Sequence, residues 1–117
     1  MALHHVTSGE VVDLSPLGSE LNSAQTRALV KTDSFEAIYL AVPAGGEMPP
    51  HKVSGRFTLH CLEGRVEVGL EDKVVELPAH GWVYFDGGVL HSVRGLEHSS
   101  LLLTIMLPAS GSSAQTA

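Results

Sequence analysis

Seven histidines and one cysteine are the side chains of this 117-residue chain best suited to binding or chemistry. An imidazole can exchange a proton near neutral pH, share a hydrogen bond, or ligate a metal. The single cysteine, Cys61, excludes an internal disulfide and any CxxC zinc or redox motif. It reads first as a small buried hydrophobe. His4, His5 and His98 read as surface residues and His80 as part of a surface turn. Glu67, Glu71, Asp72 and Glu76 alternate along exposed positions, which makes them a solvated face rather than a paired-carboxylate site. In the aromatic cluster Trp82-Val83-Tyr84-Phe85, strand alternation puts Trp82 and Tyr84 on one face and Val83 and Phe85 on the other. Core and subunit interface is the stronger reading of that cluster, and an aromatic wall for a small ligand the weaker.

Short strands must position these groups. Apolar segments are brief, and Gly, Pro, Asn or Asp interrupts them at close spacing, the rhythm of an all-β sandwich or barrel. Strands are expected over Glu10–Leu14, Thr26–Lys31, Phe35–Val42, Phe57–Leu62, Arg65–Leu70, Lys73–Leu77, Trp82–Phe85, Val89–Arg94 and Ser100–Leu107. Ser19–Gln25 reads as one helical turn or a loop. Pro43–Pro50, with three prolines and two glycines, reads as irregular. Strands this short need a closed or double-layered arrangement. If Phe57 points inward, Leu59 and Cys61 do too, and Thr58 and His60 point out.

Composition narrows the partners. Apolar residues make up 44% and charged residues 17%, which fits one folded domain with one core. The net charge of −6 argues against nucleic acid and against an anionic membrane surface, both of which attract clustered Lys and Arg. The longest apolar run, near Leu101–Leu107, is too short to span a bilayer. The first residues carry no apolar signal core, and one cysteine suits a reducing compartment, so a cytoplasmic protein is expected.

Pro43–Gly64 and Leu77–Arg94 resemble the two motifs of the cupin superfamily. The first motif reads G-x5-H-x-H-x3–4-E-x6-G. Gly45, His51 and Gly64 match it, while Val53 stands at the second His and Phe57 at the Glu. The second reads G-x5-P-x-G-x2-H-x3-N. Gly88 and His91 match it, while His80, Asp86 and Gly95 stand at the first Gly, the Pro and the Asn. The resemblance implies an all-β jelly-roll barrel, the double-stranded β-helix of RmlC-like cupins. It also places His51 and His91 at metal-ligand positions. Catalytic zinc commonly has three protein ligands, and non-haem iron two His and a carboxylate. Two imidazoles beside Val and Phe fall short of both, so the resemblance implies no resident cofactor beyond a weakly held divalent transition metal. Glu47, His60 and Cys61 are the substitute ligands to consider. His60 has the wrong strand parity, Cys61 lies further along its strand, and Glu47 sits on a loop.

Two functions of different classes follow. One is a stand-alone cupin binding a small apolar or carboxylate-bearing molecule in a pocket of His51, Val53, Phe57, Leu59 and His91. The other is a metal-dependent cupin enzyme, a dioxygenase or isomerase, using His51 and His91 with one more ligand. A sugar-nucleotide epimerase would need phosphate-binding cations, for which only Arg56, Arg65 and Arg94 are candidates. The last strand is apolar on both faces, so one face needs cover beyond the barrel core, and a homodimer is expected. Residues 1–108 are expected to form one domain and 109–117 a flexible tail of small polar residues. Truncation after Ala109 should leave the melting temperature nearly unchanged, and a loss of several degrees in a thermal scan would show that the tail docks.

Overall fold

The structure is a computed structural model that describes residues 5–108. The expected tail at 109–117 and His4 lie outside the described residues. Nine strands carry the fold: β1 Arg27–Lys31, β2 Phe35–Val42, β3 Glu47–His51, β4 Phe57–Glu63, β5 Arg65–Gly69, β6 Val74–Pro78, β7 Trp82–Phe85, β8 His91–Gly95 and β9 Ser99–Met106. They form two antiparallel sheets, one ordered β1-β2-β9-β4-β7 and the other β3-β8-β5-β6. After the β1–β2 hairpin the chain passes between sheets at almost every connection, which layers one sheet over the other.

Alternation decides which side chains meet between the layers. On β4, Phe57, Leu59 and Cys61 are buried while Thr58 and His60 are partly exposed. On β5, Val66 and Val68 point in, and on β8 His91, Val93 and Gly95 do. With Leu40, Val42, Leu77, Phe85 and Leu101 these apolar residues make one continuous core. Burying each large side chain contributes roughly 1.5–3 kcal/mol before entropy is counted.

Gly64 makes the corner from β4 to β5 possible. Its φ is +88°, and an added Cβ would stand 2.3 Å from the His98 carbonyl oxygen. Only glycine combines that backbone conformation with that approach.

Two local expectations are corrected. Glu10–Leu14 is not a strand. Glu10 accepts a hydrogen bond from the Thr7 backbone N–H, and Asp13 accepts one from that of Ser15, at 3.0 and 2.9 Å. Such local side-chain bonds compete with a ladder. The segment after it forms a short 3₁₀ helix of two turns, Gly18–Ser23, with Leu21 buried. Glu63 holds the start of that helix by accepting the backbone N–H groups of Leu17 and Gly18, both at 2.9 Å.

The second correction bears on the site. Pro43–Pro50 is not wholly irregular, because Glu47–His51 forms β3 despite Pro49 and Pro50. The strand lies at a sheet edge, where a missing N–H is tolerated. Its pairing with β8 shifts: Met48 lies opposite Val93, but His51 lies opposite His91. Pro49 and Pro50 therefore oppose Ser92 alone, which is a β-bulge. Met48 packs against the core. Strict alternation would then turn His51 outward, and the extra residue returns it to the face that carries His91.

Candidate functional site

The bulge makes His51 and His91 a direct cross-strand pair. Their ring centroids are 4.4 Å apart and their planes 51° from parallel. Each ring is held in the same way. Nδ1 of His51 donates to the carbonyl of Pro49 at 3.1 Å, and Nδ1 of His91 donates to the carbonyl of Val89 at 3.0 Å. A carbonyl only accepts, so in each neutral ring the proton sits on Nδ1 and Nε2 keeps its lone pair.

Aromatic rings back the pair from the core side. Phe57 lies 4.5 Å from His91 and 5.0 Å from Phe85, centroid to centroid. Phe85 stacks at 6.3 Å from His91, nearly parallel to it. His91 is 5% exposed, whereas His51 is on the surface. Burial pushes the His91 imidazole below its ordinary value near 6.5, against the pull of its Val89 hydrogen bond, and the neighbouring His51 charge lowers it further.

The loop after His51 is fixed by close backbone approaches. The N–H of Gly88 donates to the Val53 carbonyl at 2.8 Å, and that of Met106 donates to the Arg56 carbonyl at 2.8 Å. A Cβ on Gly55 would overlap the Met106 carbonyl oxygen, and one on Gly87 the Ser54 carbonyl oxygen. Val53 is thereby held partly buried against the core.

Of the residues singled out from sequence, His51, Phe57 and His91 are brought into ring contact. Val53 packs beside the core, and Leu59, 1% exposed, is an interior member of it. The substitute ligands are elsewhere. Cys61 is fully buried and its Sγ donates to the Glu63 carbonyl at 3.5 Å, while burial pushes its thiol up. His60 lies opposite Trp82 and Leu102 on the outer face. Glu47 lies exposed opposite Arg94. Among the described residues no group of three or more His, Cys, Asp or Glu side chains is gathered as a metal site. The donor set thus remains two imidazoles against an aromatic wall. That does not fit a tightly held metal, which needs further ligands or water where Phe57 and Val53 stand.

Two of the three cationic candidates, Arg65 and Arg94, are committed outside. Arg65 pairs with Glu76 at 2.8 Å and with Glu97 at 3.4 Å, and Arg94 with Glu67 at 3.6 Å. Both alternate with inward valines, so they point away from the histidines.

Sequence reasoning missed one part of the site and one feature near it in the chain. Phe85 was assigned to a face but not to the histidine, since its stack depends on the pairing of β4 with β7. The other is a groove of 520 Å³ lined by Lys52, Leu70, Glu71, Asp72, Gly88, Val89 and Leu90, which neither histidine lines. Its lining includes the immediate chain neighbours of both histidines, Lys52 and Leu90.

No protein-family model matches the chain, and no curated protein sequence matches it. Solved structures do resemble it. A cupin superfamily protein from Desulfitobacterium hafniense superposes with a TM-score of 0.73 at 14% identity, over 92% of this chain and 99% of that one. An RmlC-like cupin from Desulfovibrio desulfuricans gives 0.65 at 21% identity, over 91% and 96%. A conserved protein of unknown function from Streptococcus pyogenes gives 0.74 at 17% identity, over 94% and 97%. The chain has the cupin fold: a small double-stranded β-helix of two antiparallel sheets. Among the described residues no helix is long and apolar enough to cross a membrane.

Two outcomes follow from this geometry. Deleting Pro50 should remove the bulge and leave His51 opposite His91, because Met48 and His51 would then stand two residues apart on one face. Magnetic cross-relaxation between the two imidazole rings should then persist along with the circular dichroism spectrum; its loss would refute the bulge's role. The second concerns pH. Folded His91 releases its proton more readily than unfolded His91, so the unfolded chain binds more protons from about pH 6.5 down to the folded value. Stability should be full above that window and fall as pH drops through it. Urea midpoints should decline from about pH 7.5 to about pH 5.5, and decline less in His91→Gln.

Proposed function

We propose that this cupin barrel binds a small organic molecule at the His51–His91 pair without holding a metal tightly. The observation that carries this reading is the matched tethering of both rings, which leaves two Nε2 lone pairs 4.4 Å-spaced imidazoles can offer together. Two acceptors side by side suit a ligand end rich in donors, such as hydroxyl or ammonium groups. A carboxylate would need at least one ring protonated, and burial of His91 opposes that. The adjacent groove, with Leu70, Val89 and Leu90 among its lining, suits an apolar body for the same molecule.

The alternative is a metal-dependent enzyme of dioxygenase or isomerase type, using His51 and His91. The same free lone pairs favour it, and the aromatic ring of Phe57 in place of a carboxylate weighs against it. A bare cation beside that ring would lose hydration without gaining a ligand.

Metal analysis separates the two. Untagged protein, offered Fe, Mn, Ni, Cu or Zn and dialysed against chelator, should retain well under one metal per chain. The double substitution Val53→His with Phe57→Glu should raise metal affinity by roughly tenfold or more, because the histidines already converge. The proposal is overturned if the native chain keeps one metal through dialysis and His51→Ala and His91→Ala each abolish it.

A further inference from the structure

From β2 across to β7, the outer face of the five-stranded sheet carries two rungs without Asp, Glu, Lys or Arg; the Arg27 of β1 that lies opposite Tyr39 belongs to the far edge. In one, Thr104 of β9 lies between Ala37 and Thr58, and Thr58 lies opposite Tyr84. In the other, Leu102 lies between Tyr39 and His60, and His60 lies opposite Trp82. The segment around the 3₁₀ helix covers one end of this face, where Leu21 and Tyr39 are buried. The other end is open. Trp82 is 62% exposed, and Tyr84 and Met106 are each 44% exposed.

We propose that this open end is the contact between two copies of the chain, packed face to face about a two-fold axis. Charge selects the occupant. The chain carries −6, so two copies repel wherever their carboxylates approach, and a contact confined to uncharged rungs costs least. A cationic partner would be drawn to that net charge, yet this face offers it no carboxylate in either rung. The rim suits self-pairing. The Tyr84 hydroxyl donates to Asp86 at 2.8 Å, and Arg56 acts electrostatically on the same phenol. Both signs thus stand beside one aromatic residue, and a two-fold operation can bring each against its opposite. An aromatic centre with a charged rim is the usual anatomy of such an interface.

Trp82 is the only tryptophan, which makes the contact directly readable. At about 10 μM, light scattering should give twice the 12.4 kDa chain mass. Trp82 emission should shift to the blue, and its quenching by acrylamide should fall, in step with that mass along a dilution series. Thr104→Arg and Thr58→Glu each place a charge in a rung, and each should give a monomer with an unchanged circular dichroism spectrum. If either variant fails to fold, the dilution series of the native chain decides alone. A monomer at about 100 μM would overturn the proposal. So would a dimer in which Trp82 stays as quenchable as in the dilute chain, or one that both substitutions leave intact.

Discussion

Phe57 belongs at once to the core and to the histidine pair, and its packing sets the character of both. The ring is 1% exposed, lies against Phe85, and touches His91 on the side where the cupin pattern has a carboxylate. Core and site therefore share one wall. A glutamate there would draw in water and a cation, whereas phenylalanine extends the dry interior up to the imidazole. The depressed proton affinity of His91 follows, because its charged form has little solvation to exchange for what it loses. So does the inequality of the pair: one ring is sealed in and the other open to solvent.

Much of the barrel was legible because β-structure writes itself as alternation. Phe57, Leu59 and Cys61 against Thr58 and His60, and Val66 and Val68 against Glu67, gave β4 and β5 their inward faces directly. β2 and β7 were bounded as the structure has them. The pairing of Gly45, His51, Gly64, Gly88 and His91 with the cupin spacing carried the fold and brought two distant histidines together on paper. The failures share a cause. Pro49 and Pro50 lack the donors a ladder uses, so β3 could not be read locally; it exists because an edge strand leaves those donors without partners. Glu10–Leu14 holds Val11, Val12 and Leu14, enough apolar character for a short strand, yet Thr7 pairs with Glu10 and Asp13 with Ser15 within a few residues. In both cases hydrogen-bond bookkeeping beyond the segment's own hydropathy decided the outcome.

The bulge shows how a defect in pairing can be a positioning device. If β3 paired residue for residue with β8, Met48 and His51, three apart, would face opposite sides of the sheet. With the bulge, Met48 fills the core and His51 still meets His91. The loop that follows is then locked by Gly55 and Gly87, whose missing side chains allow backbone to lie against backbone. Rigidity at that place limits how far the two lone pairs can separate, which favours a ligand that fits over one that must be wrapped.

The order of strands in the larger sheet has a consequence for how the chain is made. β9, the last of the described strands, lies between β2 and β4, both synthesised well before it. While the nascent chain is still on the ribosome, those two strands have no neighbour in common and present bare edges. The five-stranded layer can close only when Ser99–Met106 has emerged, so acquisition of the native state waits for that strand however early β2 and β4 are made. Ladders this non-local make for slow folding, and in that interval the half-finished barrel is exposed to mispairing and to capture by chaperones.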